Sequence, residues 1–299
     1  MVGEAMNDEI AGRYRIGQAY DIRDVDLLWS HYPKIRKPIA RSAIKDRIPG
    51  VSLIIPAYNE ADRICKSIDA YVPVLSAIGM PFEIVVIIDG KDDTRQVVDA
   101  YGNGNIRCHT FQGKLGRGGA ILKGFQVSRY SIVGYTDADG SLSAKDIPKL
   151  VELCNSYDCV IGSRWLNQSR WIHKEPRFNS IAGRVFNLLI RGILGVPVSD
   201  TEGGGKFFRG EVLDSVLSKV SVTNRAFTAS LFYHLQSDGY SITEAPITWD
   251  HDGNTRMPIS KAIPVMLFTL LGIRLMNLPI SRMVPKTVVD FFHRRFSTV

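Results

Sequence analysis

The sequence predicts an α/β fold with a doubly wound, mostly parallel sheet. Short apolar runs typical of buried strands recur through the first half of the chain, and stretches with helical spacing separate them. This alternation is typical of a parallel sheet with helices on both faces. With 299 residues, of which 45% are hydrophobic and 22% charged, the chain can bury one large core or two smaller ones.

The first two predicted strands are Val51 to Ile55 and Glu83 to Ile88. Pro56 closes the first strand because proline cannot continue a central ladder. The second strand ends at Asp89-Gly90. Helices follow these strands, one through Ile64, Ile68 and Tyr71 and one opened by Asp92, Asp93 and Thr94.

Three further strands are predicted at Asn105 to Phe111, Ile132 to Tyr135 and Asp158 to Gly162. A helix through Ile121 and Phe125 lies between the first two of these. Asp146 to Cys154 is predicted as the helix before the last strand. Strand and helix therefore alternate regularly, as in βαβ units.

The segment Asp137-Ala138-Asp139 comes directly after the apolar run Ile132 to Tyr135. In open α/β sheets, ligands bind outside the carboxyl ends of the strands. Two carboxylates at that place suit a hard divalent cation that also takes oxygens from a diphosphate. A polar turn is the alternative, because Asp and Gly are favoured turn residues.

The glycine-rich segment from Gly113 to Ala120 precedes a predicted helix and carries Lys114 and Arg117. Glycines let the backbone approach a ligand, and the two cations favour a phosphate nearby. The segment lacks the Gly-Lys-Ser/Thr ending of a P-loop, and it does not follow the first strand as a dinucleotide fingerprint does. A flexible surface turn remains the alternative.

The net charge of +7 indicates an anionic partner, which could be a nucleotide, a phospholipid surface or a nucleic acid. Nucleic acid is the least favoured, since the basic residues show no aromatic interleaving. The four cysteines form no Cys-x-x-Cys pair, which is typical of a reduced cytoplasmic protein. The segment Met1 to Asp26 is polar and predicts no signal peptide.

Several motifs together resemble family 2 glycosyltransferases of the GT-A fold. In chain order they are Pro56-Ala57-Tyr58-Asn59-Glu60, Asp89-Gly90, Gly116-Arg117-Gly118, Asp137-Ala138-Asp139, Gly162-Ser163-Arg164, the segment Asp200 to Arg209, and the segment Gly239 to Trp249. The resemblance is strongest to the dolichyl-phosphate mannose or glucose synthases. Trp249 with Ile273-Arg274 favours the glucosyl type.

The resemblance implies a role for each matching residue. Pro56, Tyr58, Glu60 and Asp89 would hold the base and ribose of a nucleotide sugar, with Lys114, Arg117 and Ala138 also on the donor side. Asp137 and Asp139 would hold Mg²⁺ or Mn²⁺ across the diphosphate. Arg164, Arg177 and Ser180 would lie near the phosphate of a polyprenyl phosphate acceptor. Asp139, Arg164 and Asp200 are the predicted catalytic residues.

Three positions depart from the family pattern. Ile88 stands where the family has the first of two adjacent acids, and Thr228 and Ser230 replace the acids of a Phe-Asp-x-Glu pattern. A hydroxyl acceptor needs a base, for which Asp200 is the candidate, although a structural turn carboxylate is an equal interpretation. A phosphate acceptor is already ionised. Transfer to a glycan or other hydroxyl acceptor, and an inactive nucleotide-sugar-binding protein, remain alternatives.

The expected organisation is an N-terminal extension over 1–48, a glycosyltransferase domain over 49–255 and an amphipathic helical tail over 256–299. Residues 49–165 would form the nucleotide-sugar half and 166–255 the acceptor half. Apolar and basic residues between Lys286 and Phe296 suit a helix lying in a membrane interface, while packing on the catalytic domain is the alternative. The expected location is cytoplasmic, peripheral at the cytoplasmic face of a membrane.

Overall fold

A computed structural model describes residues 47–173, 177–220, 226–250 and 259–277. Within residues 177–182 and 259–266 it describes the helical backbone alone. Most of the predicted extension over 1–48 therefore lies outside the described residues, and so does the predicted interface helix between Lys286 and Phe296.

The core of the described chain is a seven-stranded mixed sheet in the order β3-β2-β1-β4-β7-β5-β8. Strand β7 is antiparallel to both of its neighbours, and the other pairs are parallel. The strands are β1 (Ile48–Ala57), β2 (Phe82–Ile88), β3 (Ile106–Thr110), β4 (Tyr130–Tyr135), β5 (Cys159–Ser163), β7 (Lys206–Arg209) and β8 (Ile242–Pro246). The short strands β6 (Arg170–Trp171) and β9 (Thr248–Trp249) pair in parallel beside it. The predicted α/β fold with a mostly parallel sheet is confirmed.

Eight α-helices are described. They are α1 (Ile64–Ala77), α2 (Thr94–Ala100), α3 (Gly116–Val127), α4 (Ile147–Leu153), α5 (Arg177–Leu194), α6 (Gly210–Val216), α7 (Phe227–Ser237) and α8 (Ile259–Met276). Helices α1, α2 and α4 contribute to a core on one face of the sheet, whereas α3 and α5 to α8 contribute to a core on the other face.

Strand β2 shows why the buried strands could be recognised from the sequence. All seven of its residues are buried. Ile84 and Val86 face one core, and Val85 and Ile87 face the other. A strand covered on both faces is a continuous apolar run, and each buried side chain contributes about 1.5–3 kcal/mol.

Strand β1 is longer than predicted, because Pro56 lies within it, in register with Ile87 of β2. The prediction that Pro56 closes the strand was therefore wrong. Proline lacks one ladder donor, and the strand ends one residue later, at Ala57, so little pairing is lost.

The strand order places the topological switch point between β1 and β4. The chain proceeds from β1 to β2 and β3 on one side, and then returns to add β4 on the other side of β1. A crevice opens where neighbouring connections leave a sheet in opposite directions, and ligands bind there. The segment after β4 begins with Thr136 and Asp137.

Helix α8 belongs to the folded body of the protein, since it packs against α5 and α7 and buries Leu270 and Ile273 in the shared core. Within the described residues, no helix has the length and apolar character needed to cross a membrane.

Candidate active site

A cleft of about 280 Å³ opens at the switch point. Its walls come from the ends of β1, β2 and β4 and from the start of α3. The lining residues are Pro56, Ala57, Tyr58, Glu60, Arg63, Asp89, Lys114, Gly116, Arg117, Ala120, Asp137, Ala138 and Asp139. All nine residues predicted for the donor and its metal therefore meet in one cleft. Arg63 was missed because nothing in its helical context distinguishes it.

The turn after β1 is tied to the turn after β2. Asn59 adopts a left-handed conformation with φ of 57°, and its side-chain oxygen accepts a hydrogen bond from the Lys91 amide at 2.9 Å. The Glu60 amide donates to the Thr94 hydroxyl. A Cβ at Gly90 would lie 2.5 Å from the Asn59 nitrogen, so glycine allows this close approach. The two turns thus form one rigid wall of the cleft.

Asp89 joins the end of β2 to the start of α3. Its Oδ2 accepts hydrogen bonds from the amides of Leu115 at 2.7 Å and Gly116 at 3.0 Å. Burial raises the pKa of the Asp89 carboxyl, and the two amides oppose that change. The carboxylate therefore holds the glycine-rich turn against the cleft, where a helix N-terminus favours negative charge.

The glycine-rich segment brings two cations to the cleft. The Lys114 ammonium lies 5.0 Å from the centre of the Tyr58 ring. Arg117 donates from Nε to Asp137 Oδ1 at 2.8 Å and from Nη2 to Asp137 Oδ2 at 3.3 Å. The segment is thus part of the site and not a remote surface turn.

Asp137 and Asp139 lie side by side in the cleft, with different electrostatic surroundings. Burial opposes ionisation of Asp137, but the Arg117 guanidinium outweighs it and lowers the pKa of that carboxyl. Burial, followed by the charge of Asp137, raises the pKa of the Asp139 carboxyl. Asp139 Oδ1 accepts from the Ser141 amide at 3.0 Å. Two acids thus share a small space with incomplete charge compensation.

This donor set fits a hard divalent cation such as Mg²⁺ or Mn²⁺, which prefers oxygen ligands. A cation held by these carboxylates would offset their repulsion, which adds to burial in raising the pKa of Asp139. Among the described residues, no cluster of three or more His, Cys, Asp or Glu side chains has metal-binding geometry. Asp137 and Asp139 line the cleft and are the two carboxylates predicted to hold such a cation.

On the other side of the sheet centre, Arg164 and Asp200 form a buried bidentate pair. Arg164 donates from Nε to Asp200 Oδ2 at 2.8 Å and from Nη2 to Oδ1 at 2.9 Å. The amides of Arg164 and Gly203 also donate to this carboxylate. Burial opposes ionisation of Asp200, but Arg164 outweighs it and lowers the pKa of the carboxyl. Both oxygens of Asp200 are engaged and the group holds Arg164 in place, which favours the structural interpretation of this carboxylate over the interpretation as a base.

Glu244 of β8 supports this pair from behind, and sequence reasoning assigned it no role. Its carboxylate accepts from the amide and hydroxyl of Ser199 and from the amide of Asp200. The motif around Glu244 was visible in the sequence. Its hydrogen-bond partners, Ser199 and Asp200, could not be predicted, because they lie 45 and 44 residues away.

Three tryptophans surround the Arg164 guanidinium. The ring centres of Trp249, Trp165 and Trp171 lie 5.2, 5.5 and 5.9 Å from its central carbon. Arg184 of α5 lies 4.7 Å from the Trp165 ring. Such stacking is favourable for the planar guanidinium and keeps it oriented. Trp165 and Trp171 therefore pack around Arg164.

A loop of three consecutive glycines, 203–205, separates the two aspartates of the cleft from the Arg164–Asp200 pair. A Cβ at Gly203 would lie 2.8 Å from Asp200 Oδ2, and one at Gly204 would lie 3.1 Å from Asp137 Oδ2 and 3.2 Å from the Trp249 ring. Lys206, at the end of the loop, is fully buried and donates to the Gly203 carbonyl. Burial lowers the pKa of Lys206 to about 8. Glycine is therefore needed where the two half-sites meet.

The three departures from the family pattern lie in buried positions. Ile88 is the last residue of β2 and is part of the core. The Thr228 hydroxyl is 3.1 Å from the hydroxyl of Tyr135, whose ring lies beside Arg117. The buried Ser230 hydroxyl has no hydrogen-bond partner. Position 228 thus lies directly beneath the cleft.

Two predicted acceptor residues, Arg177 and Ser180, lie on the first turns of α5. Their side chains are outside the described part of the structure, and their roles stay predictions.

Comparison with known proteins identifies the family. The sequence profile of Glycosyl transferase family 2 matches residues 52–217. Glycosyltransferase AglD of Haloferax volcanii is 30% identical over 239 residues, which cover 77% of this chain but 37% of that protein. The dolichyl-phosphate beta-glucosyltransferases of Dictyostelium discoideum and Homo sapiens are 28% and 27% identical. These matches cover 71% and 74% of this chain, and 70% and 72% of the respective relatives.

Solved structures show the same fold. Glucosyl-3-phosphoglycerate synthase from Mycobacterium tuberculosis, in complex with Mn²⁺, uridine diphosphate and glucosyl-3-phosphoglycerate, matches with a TM-score of 0.54 at 18% identity. The match covers 78% of this chain and 81% of that one. The complex of the same enzyme with Mn²⁺, uridine diphosphate and phosphoglyceric acid has a TM-score of 0.56, at 18% identity and with 80% and 81% coverage. The fold is thus GT-A, and the chain belongs to glycosyl transferase family 2.

Proposed function

We propose that this protein is a metal-dependent, inverting glycosyltransferase that moves a hexose from a nucleotide sugar to a polyprenyl phosphate such as dolichyl phosphate. One observation carries the proposal. An acidic pair and two cations form an open cleft, and a glycine loop separates this cleft from an arginine that is already locked in position. The first half suits a diphosphate with its metal, and the second suits an anionic acceptor.

UDP-glucose is the favoured donor, and GDP-mannose is the alternative. Two relatives are named as dolichyl-phosphate beta-glucosyltransferases, and structural neighbours bind uridine diphosphate with Mn²⁺ or Mg²⁺. In this chain, Tyr58 and Asp89 line the cleft, where they would contact the base and ribose. Lys114 and Arg117 would lie along the diphosphate and stabilise its negative charge.

Asp137 and Asp139 would hold Mg²⁺ or Mn²⁺. When bound, the cation would act as a Lewis acid for the departing diphosphate and supply several kcal/mol of transition-state stabilisation. The protein's own contribution is to keep the two carboxylates in place. The hydroxyl of Ser67 bonds the Ala138 carbonyl at 2.7 Å, and the Ser141 amide bonds Asp139.

The acceptor side supports a phosphate nucleophile. Asp200, the carboxylate beside Arg164, is buried and fully engaged, and its lowered pKa makes it a weak base. A hydroxyl acceptor needs a base, whereas a phosphate monoester has a second pKa near 6 and is ionised at neutral pH. Arg164 would orient the phosphate for attack on the anomeric carbon, and a single displacement would invert it.

A panel of radiolabelled nucleotide sugars tests the proposal. The full chain is incubated with each donor, dolichyl phosphate and Mg²⁺ or Mn²⁺, and the products are partitioned between organic and aqueous phases. We expect lipid-soluble label from UDP-glucose. Label in a water-soluble product would instead indicate a glycan or other hydroxyl acceptor, and donor binding without turnover would indicate an inactive binding protein.

We also propose that the protein works at the cytoplasmic face of a membrane, where a lipid-linked phosphate would meet a soluble nucleotide sugar. Cell fractionation tests this location. The proposal expects the protein in the membrane fraction and its release by high salt or carbonate. Recovery in the soluble fraction alone would contradict it.

A further inference from the structure

Helices α5 and α8 pack against each other and expose an apolar surface to solvent. Val185 and Leu188 project from α5, and Phe268, Leu271 and Leu275 project from α8. Within each helix these residues are three or four positions apart and therefore lie on one side. We call this surface, together with the exposed Arg184, Arg191 and Arg274, the α5–α8 face.

The concentration of apolar side chains on this face is unusual. Nine large hydrophobic residues of the described chain are exposed, and five of them lie on these two helices. Leu188 is 68% exposed and Phe268 is 58% exposed. Single exposed hydrophobic residues are common on soluble proteins, but grouped ones mark surfaces that contact a partner or a membrane.

The charges of the face indicate which partner it fits. Helices α5 and α8 contain no Asp or Glu, and their exposed charged residues on this face are all arginines. Apolar side chains flanked by basic residues, without acids, are typical of helices that lie in the interface of a bilayer with anionic lipids. Each Arg or Lys near such a surface strengthens binding by about 1 kcal/mol, or roughly fivefold.

The face is also connected to the acceptor side of the active site. Arg184 lies on α5 with its guanidinium 4.7 Å from the Trp165 ring, and the same ring lies 5.5 Å from Arg164. A surface that meets the bilayer along α5 would therefore bring Arg164 close to the level of the lipid headgroups.

We propose that the α5–α8 face docks onto the surface of an anionic phospholipid bilayer, with both helices lying in the interface. The docking surface stands on exposure and charge, independently of the donor and acceptor. Its consequence for catalysis, delivery of a bilayer-embedded acceptor phosphate to Arg164, rests on the proposed function.

Liposome sedimentation of the full chain tests the surface. We expect the protein to bind vesicles of phosphatidylcholine with 30% phosphatidylserine, and to bind pure phosphatidylcholine far more weakly. The triple variant Leu188→Ser, Phe268→Ser, Leu271→Ser should bind at least tenfold more weakly. The double variant Arg191→Ser, Arg274→Ser should bind about 25-fold more weakly, because each arginine contributes a factor of about five, and the loss should be greatest at low salt.

Matched controls lie on other parts of the surface. Ile48→Ser removes an exposed apolar residue at the start of β1, and Lys145→Ser removes an exposed cation beside α4. Both should bind vesicles like the unchanged protein. Thermal melts of every variant verify folding. If the folded triple variant binds anionic vesicles normally, or if the unchanged protein does not bind them, the docking surface is wrong.

Two further measurements separate the other outcomes. If sedimentation velocity shows a dimer that the triple variant converts to a monomer, and vesicle binding is absent, the face is a contact between copies and the proposal fails. Turnover with a short, water-soluble polyprenyl phosphate should be unchanged in the triple variant, while turnover with vesicle-embedded acceptor falls about tenfold. Vesicle binding without transfer to any acceptor would refute the proposed function and leave the docking surface intact.

Discussion

The proposed donor cleft and the proposed acceptor side neutralise their acidic groups in different ways. In the cleft, Asp137 and Asp139 repel each other, and Asp137, 28% exposed, has Arg117 as its salt-bridge partner. On the acceptor side, Asp200 is 1% exposed and bonded by Arg164 on both oxygens. The cleft therefore has negative charge that a bound cation would neutralise, whereas the charge of Asp200 is already neutralised by Arg164. One half is built to receive a charged ligand and the other to present a fixed arginine.

The largest expected effect comes from the unbalanced half. Asp139→Asn should lower kcat/KM about 10³-fold, because the site loses the carboxylate that would hold the cation and with it several kcal/mol of transition-state stabilisation. Steady-state transfer assays with added Mn²⁺ measure the loss. EDTA should abolish the activity of the unchanged protein, and Mn²⁺ should restore it. The control Asp93→Asn alters an exposed acid at the start of α2. Turnover of Asp139→Asn equal to that of the control would contradict the metal role.

The Arg164–Asp200 pair should depend on the shape of the arginine side chain as well as on its charge. Arg164→Lys keeps the charge but loses the planar fork that bonds both oxygens of Asp200. We expect kcat/KM for the acceptor to fall about 10²-fold while the donor dissociation constant changes less than twofold. Steady-state kinetics at varied acceptor concentration measure the first quantity, and calorimetric titration with UDP measures the second. Equal losses on donor and acceptor would show that the two halves are not separate.

The Arg164–Asp200 pair should also make stability depend on pH. The pKa of Asp200 is lowered by folding, so its contribution to stability is complete above its ordinary pKa near 4. The contribution is lost as the pH falls through the lowered folded value. Asp200→Asn should therefore cost about 3 kcal/mol of unfolding free energy at pH 7 and progressively less in acid. Urea unfolding of both proteins between pH 2 and pH 7 measures this difference. A difference that does not change with pH would show that the charge of Asp200 is unimportant.

A smaller effect should come from the loop between the halves. Gly204→Ala would place a methyl group 3.1 Å from Asp137 Oδ2 and 3.2 Å from the Trp249 ring, so we expect about tenfold lower turnover and little change in melting temperature. Gly104→Ala is the matched control, because a Cβ there meets nothing within 4 Å. If Gly204→Ala is as active as this control, the close packing at Gly204 does not contribute to turnover.

Much of the donor side could be predicted from the sequence. Buried parallel strands are apolar runs, and polar residues at their carboxyl ends must meet at one edge of the sheet. For this reason Asp137 and Asp139 could be assigned to a ligand site from the sequence pattern, whereas Tyr58 and Asp89 were assigned through the family resemblance. The sequence also showed that the glycine-rich segment carrying Lys114 is not a P-loop.

The acceptor side could be predicted much less well. Strand β7 was missed because it has four residues and begins with Lys206, a residue type that is rarely buried. The role of Asp200 was left open between a base and a structural turn carboxylate, because its partner, Arg164, lies 36 residues away. The grouping of three tryptophans around that arginine depends on loops whose paths follow no periodic pattern.

The sequence by itself determined the α/β class, the positions of strands β1 to β5 along the chain and the acidic pair after β4, because a buried strand is a local run of apolar residues. Only the tertiary structure decided that Asp200 holds Arg164, that Glu244 supports Asp200, and that α5 and α8 share an exposed apolar face. Those relations depend on side chains that are distant along the chain, and no local pattern records which of them will meet when the sheet is assembled.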